Sequence, residues 1–196
     1  MKRGPWLLTL CAVPLLGCAA PENRVVGGIL GGSGIPNANI PVVRSAISGF
    51  AQASDEAGHA SGAQVVLLSD RRDLCEVLAQ NPDLLELPSE SFAVFELLLP
   101  PDASASSGEL TLGALGTQAN FVVAGGAGAP VYAFTAASGT VSLVAQPEES
   151  ADAGSPGLVG SFDTEVTDGA GNPYEVYGQF AAQPCDALAG AYIPKF

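Results

Sequence analysis

The stretch GSFDTEVTDGAGNPYEVYGQF, residues 160–180, reads as two strands joined by a turn. Apolar and polar residues alternate on either side of TDGAGNP, the period-2 pattern of strands with one buried face, and Asp, Gly, Asn and Pro between them supply turn chemistry. Pairing strands at 158–166 and 174–182 about that turn sets Phe162 opposite Gly178 and Gly160 opposite Phe180. Each ring then covers a bare glycine, which protects a thin place in a sheet. Thr164, Val166, Tyr174 and Val176 complete the inward face, while Ser161, Asp163, Glu165, Glu175, Tyr177 and Gln179 point out. A slip of one residue would turn the acids into the core, so the register is well specified.

The same signature recurs upstream. Short apolar or alternating runs near 42–50, 63–69, 91–99, 109–115, 131–138 and 140–146 are separated by Gly, Pro, Asn and Asp, which with the final hairpin makes about eight strands. Many short strands at this spacing imply a mainly β domain, an antiparallel β-sandwich or flattened barrel. Pro41, Pro82, Pro88, Pro100, Pro101, Pro130, Pro147, Pro156, Pro173 and Pro184 all fall outside these strands, as the missing donor requires. QVVLLS, residues 64–69, is apolar on both faces and reads as a central, covered strand.

One helix interrupts the strands. In LLSDRRDLCEVLAQNP, Leu74, Val77 and Leu78 recur at helical spacing, which predicts a short α-helix near 70–81 with Ser69 or Asp70 as cap and Asn81-Pro82 as stop. Cys75 lies beside that apolar stripe.

The amino end has a different character. MKRGPWLLTLCAVPLLGC opens with Lys2 and Arg3 and continues as an apolar run from Pro5 to Leu16, too short for a permanent membrane span and laid out like an export signal over residues 1–17. Leu15, Leu16 and Gly17 lead directly into Cys18. This resembles the bacterial lipobox, and the resemblance implies that Cys18 carries thioether-linked diacylglycerol and an acylated amino group after cleavage. Two or three acyl chains, at roughly 0.8 kcal/mol per buried methylene, hold a folded domain on a bilayer where one gives marginal residence. Ala19, which is not an aspartate, favours the outer membrane by the same resemblance; no twin-arginine motif precedes the apolar run. Residues 18–40 are rich in glycine and read as a lipidated tether reaching roughly 25 Å as a flexible coil, although Val25, Val26, Ile29 and Leu30 suit docking on the domain or a partner better than a spacer. Residues 41–196 then form a single β domain.

Without the leader, five cations stand against twenty acids, a net side-chain charge of −15, and Lys195 is the one lysine. Nucleic acid and anionic headgroups are bound chiefly by clustered Lys and Arg, so this surface excludes nucleic-acid binding and leaves membrane attachment to lipid. Nearly half the chain is apolar, enough for one core. Trp6 leaves with the leader, as does Cys11, so the two remaining thiols outside the anchor, Cys75 and Cys185, admit one pairing in an oxidising envelope.

The chain carries no G-x-S-x-G, H-E-x-x-H, phosphate-binding G-x-x-x-x-G-K-[ST] or strand-following dinucleotide motif, so neither a nucleotide nor another cofactor is expected. His59, in SDEAGHASG, reads as an exposed loop histidine. Carboxylates are the plentiful reactive groups, and glycoside hydrolysis would need two of them facing across a cleft. Glu96 in FAVFELLLP reads as an edge or outward glutamate whose pKa would rise if it were enclosed. Glu165 faces Glu175 in the register above, so a cation held there with help from Asp163 or Asp168 is the metal-site candidate, against the plain reading of a solvated face.

The lipobox, glycine tether, LLSDRRDLCEVLAQNP, GSFDTEV and YGQFAAQPC together resemble uncharacterised bacterial envelope lipoproteins. The resemblance implies a location and a β fold and brings no activity. The expectation is a non-enzymatic binding or structural module, lipid-anchored in the bacterial cell envelope, whose partner is an envelope protein or glycan. The alternatives are a lipocalin-like carrier of a small apolar ligand, which needs a cavity inside the sheet, and a carboxylate-based hydrolase.

Overall fold

The computed structural model describes residues 22–29, 38–40, 42–54, 60–82, 91–103, 107–114, 116–125, 131–144, 157–167 and 170–194. The protein is mainly β. Among the described residues eleven strands join in one sheet: β1 (Arg24–Ile29), β2 (Ala38–Asn39), β3 (Ser45–Ser54), β4 (Ala60–Ser69), β5 (Ser91–Leu99), β6 (Gly108–Thr111), β7 (Gln118–Gly125), β8 (Val131–Val144), β9 (Leu158–Thr167), β10 (Pro173–Pro184) and β11 (Tyr192–Pro194). Helix α1 (Leu74–Gln80) and a 3-10 turn at Asp186–Gly190 accompany them.

The hairpin read first from the sequence has the expected register, with Phe162 opposite Gly178, Gly160 opposite Phe180 and Glu165 opposite Glu175. Thr164, Val166 and Val176 are buried, Tyr174 is half-buried, and Asp163, Glu165, Glu175 and Tyr177 are exposed. From this hairpin the sheet continues antiparallel through β8, β7, β5, β4 and β3. It then closes, because the end of β10 pairs in parallel with β3 through Gln183 to Ile47 and Pro184 to Ser48. Seven strands thus form a circuit. Followed once round, the register drifts by about ten residues, the stagger that closure of a tilted sheet demands.

Apolar side chains pack inside this circuit. Phe95 of β5 stacks on Phe162 of β9 from the opposite wall, with centroids 4.2 Å apart, and meets Phe121 of β7 edge-on at 5.0 Å. Val66, Leu97, Val176 and Phe180 pack in the same core. A second apolar layer lies outside β3, β4, β5 and β7, where Val65, Leu67, Val94 and Leu98 meet Leu74 and Leu78 of α1 and Leu188 of the 3-10 turn. Val65, Val66, Leu67 and Leu68 are therefore all fully buried, which is why QVVLLS shows no alternation.

A disulfide joins Cys75 of α1 to Cys185, spanning 110 residues. On the chain-entropy account a closed loop of this length stabilises by about 4–5 kcal/mol. The Cys185 N–H donates to the Ser48 carbonyl at 2.9 Å, so the bridge lies at the place where β10 meets β3.

The structure corrects several expectations. Residues 24–29, expected within the tether, form β1, which pairs with β10 through Arg24 to Gln179 and Val26 to Tyr177. The strand expected at 109–115 stops at Thr111, and β7 at 118–125 was concealed by its polar Gln118 and Asn120. The pair expected at 131–138 and 140–146 is one strand with an irregularity between Ala136 and Ser138; Gly139, at φ +139°, lets it continue where a Cβ would strike the Asp163 carbonyl. Pro173 and Pro184 are the first and last residues of β10 rather than outside it. Neither Ser69 nor Asp70 caps α1: the Ser69 hydroxyl donates to the Ala93 carbonyl and Asp70 Oδ1 accepts from the Ala93 N–H, tying the helix approach to β5. The cap position is Asp73, whose carboxylate is taken by Arg71 at 2.6 and 3.2 Å; that hydrogen-bonded guanidinium holds its pKa below the usual range.

The ring-over-glycine arrangement has a direct test. A Cβ at Gly178 would press on the Arg24 carbonyl and lie 2.6 Å from Phe162 Cζ, whereas one at Gly62 would meet nothing within 4 Å. Gly178→Ala is expected to cost about 2 kcal/mol or more in urea unfolding, and Gly62→Ala less than about 0.5 kcal/mol.

Candidate functional site

Three places on the described surface and core carry chemistry. The first is the outward face of the hairpin. Asp163, Glu165 and Glu175 are all exposed there, with Glu165 directly across from Glu175 and Asp163 across from Tyr177. Asp168, the fourth metal-site candidate, lies outside the described residues, as do Cys18 and His59. Among the described residues no group of three or more His, Cys, Asp or Glu side chains comes together to hold a metal ion. The described part of this face is a pair of opposed carboxylates in water, which like-charge repulsion makes mildly destabilising.

The second is Glu96, and here the expectation of an edge or outward position is overturned. Glu96 is on β5, a central strand, with Leu67 of β4 on one side and Asn120 of β7 on the other. Its side chain has no solvent exposure. Asn120 Nδ2 donates to Glu96 Oε1 at 2.9 Å, while Glu96 Oε2 and Asn120 Oδ1 have no partner among the described residues. Burial disfavours the carboxylate and pushes the pKa of Glu96 up to about 8, the Asn120 hydrogen bond opposing that only in part. The group is a protonated acid at neutral pH, sealed from any substrate. A hydrolase needs a second carboxylate beside the first; among the described residues the hydrogen-bond partner of Glu96 is the Asn120 amide.

The third is the seam of the barrel. One edge of β10 is occupied by β9, so β1, paired at 176–179, and β3, paired at 183–184, lie in tandem along the other. The chain ahead of β1 is fastened in the gap between them. Asn23 Oδ1 accepts from the Ala181 N–H at 2.6 Å, and the Glu22 carbonyl accepts from Gln179 Nε2 at 2.9 Å. An open pocket of about 460 Å3 adjoins this point, lined by Glu22, Asn23, Arg24, Val25, Ile40, Val42 and Val43. Of its lining, Val25 and Ile40 belong to the same apolar core as the stacked phenylalanines, and Val43 packs against that core.

Sequence reading missed the Asn120 partner of Glu96 and the Glu22–Asn23 fastening. Both depend on neighbours brought together by the sheet, at separations of 24 and 158 residues. The one signal available was the pair of polar residues at Gln118 and Asn120 inside QANFVVAG. No family model, no curated protein sequence and no solved structure matches the chain.

The buried acid sets a pH dependence. Between about 4.5 and about 8 the unfolded chain has released the Glu96 proton while the fold retains it. The stability contribution of this group therefore falls as pH rises through that window, by about 1.4 kcal/mol per pH unit, and levels off above it. Glu96→Gln keeps the shape and cannot ionise. Its stability relative to the native chain is expected to be about 3 kcal/mol more favourable at pH 7.5 than at pH 5, measured by urea unfolding across that range; equal differences at both pH values would refute the buried-acid assignment.

Proposed function

We propose that this chain is a lipid-anchored lipoprotein of the bacterial cell envelope, retained at the outer membrane, and that it works as a non-enzymatic binding or structural module. The observation that carries the reading is the order of features at the amino end. A basic start, a short apolar run and LLGC at 15–18 are followed six residues later by the first strand of the sheet at Arg24. Two further features agree with it. The Cys75–Cys185 disulfide suits an oxidising compartment outside the cytoplasm. Among the described residues the fully buried acid, Glu96, is hydrogen-bonded to the Asn120 amide, and the exposed acids lie on the outer face of the β9–β10 hairpin, where a partner could be held.

No helix among the described residues is long and apolar enough to cross a membrane, so under this reading attachment falls to the acyl chains on Cys18. The partner is an envelope protein or glycan, engaged by an acidic surface that neither nucleic acid nor nucleotide fits.

The test is metabolic labelling with a palmitate analogue in a bacterial host, followed by fractionation of the envelope. The native chain is expected to take up label and to sediment with outer membrane, and Cys18→Ser to lose both. Label retained in Cys18→Ser, or a native chain recovered unlabelled, would refute lipidation at this residue.

A further inference from the structure

Resting on the reading of Cys18 as the lipid-bearing residue, we infer that the seam end of the barrel, where β1 begins, is the surface that lies against the bilayer. Composition alone placed some twenty residues of spacer between lipid and domain. The structure leaves three. Glu22 and Asn23 are both hydrogen-bonded to β10, so three residues of sequence, 19–21, lie between Cys18 and this fastening. The Cα atoms of Cys18 and Glu22 can be separated by at most about 14 Å even fully extended. The glycine-rich run at 30–37 falls after β1 and gives the domain no freedom from the anchor.

Around that point exposed valines stand beside one exposed acid, Glu22, and one exposed base, Arg24, a mixed set that suits the headgroup boundary. Val42, 60% exposed, lines the same pocket as Glu22 and Asn23. Val144, 58% exposed, is paired with Val159, which is paired with Ala181, the residue that Asn23 holds. Moving along the outer face away from this row, Ser142, Ser161 and Gln179 come next, then Thr140, Asp163 and Tyr177, then Ser138, Glu165 and Glu175. The face thus runs from valines beside the anchor to opposed acids at the far end. Six residues of strand, about 20 Å, separate Ala181 from Glu175. An acidic end held away from headgroups and an apolar end held against them is the arrangement that costs least desolvation.

The experiment uses the full lipidated chain, which loses its one tryptophan, Trp6, with the leader. Val42→Trp, Val144→Trp and Glu175→Trp are each reconstituted into phosphatidylcholine vesicles with or without bromine on the acyl chains; these lipids are zwitterionic, so net charge does not enter. Flotation and the acyl mass on Cys18 are read on the same samples. Tryptophan at 42 and at 144 is expected to lose emission on brominated vesicles, and tryptophan at 175 to keep it. Either near-anchor variant suffices if the other fails to fold. Quenching at 175 as strong as at 144, or emission unchanged at 42 and 144 in protein that floats with vesicles and carries acyl groups, would overturn the orientation while leaving lipidation intact. Protein that neither floats nor carries acyl mass would overturn both.

Discussion

The fold depends on a short contact. Seven strands wrap round an interior of packed phenylalanines, and the circuit is completed by two residue pairs where the end of β10 runs parallel to β3. Parallel pairing of that length gives little on its own. What holds it is the Cys75–Cys185 bridge immediately beyond, together with the Cys185 N–H to Ser48 hydrogen bond and the Ser48 hydroxyl reaching the Ala182 carbonyl. The bridge also fixes α1 over the outer faces of β3, β4 and β5, so one covalent link both closes the barrel and pins its second apolar layer. Opening the seam would expose the edges of β3 and β10 and part of both cores at once.

How much of this could be read from the chain varied with the physics of each element. The final hairpin was legible to the residue because one face meets water and the other a core, so its alternation had a single solution. The buried strand at 64–69 was legible for the opposite reason, being apolar throughout. β7 was not. Its Gln118 and Asn120 face a covered layer, where polarity no longer reports exposure. β1 was hidden by glycines that look like a spacer; Gly27, at φ +94°, instead lets the strand pass where a Cβ would meet the Glu175 carbonyl. Strand boundaries near Gly113 and Gly139 were misplaced because a glycine stops a strand in one case and permits its continuation in the other.

The candidate sites followed the same division. The cysteine pairing could be reached by counting, since two thiols remained. The facing of Glu165 and Glu175 could be reached from the register. The burial of Glu96 could not, because a lone acid in FAVFELLLP is compatible with an edge strand or a covered one, and only the neighbours on β4 and β7 decide. Its proton is the consequence of that placement. The fastening of Glu22 and Asn23 to β10 likewise lies beyond local pattern, yet it converts an apparent tether into a close mounting and gives the proposed anchor an orientation as well as a location.

The central claim is that the disulfide holds the closing seam, and amide hydrogen exchange on the oxidised and reduced protein tests it most directly. In the oxidised chain the Cys185 amide, bonded to Ser48, and the Gly157 amide, bonded to Ala182, should be protected alongside the β9–β10 hairpin. Reduction should release Cys185 and the start of β3 first, with the Gly157 amide and the other β9–β10 amides around Val176 still slow. Seam amides that stay as protected after reduction as before, or a hairpin that loses protection at the same rate as the seam, would contradict the account.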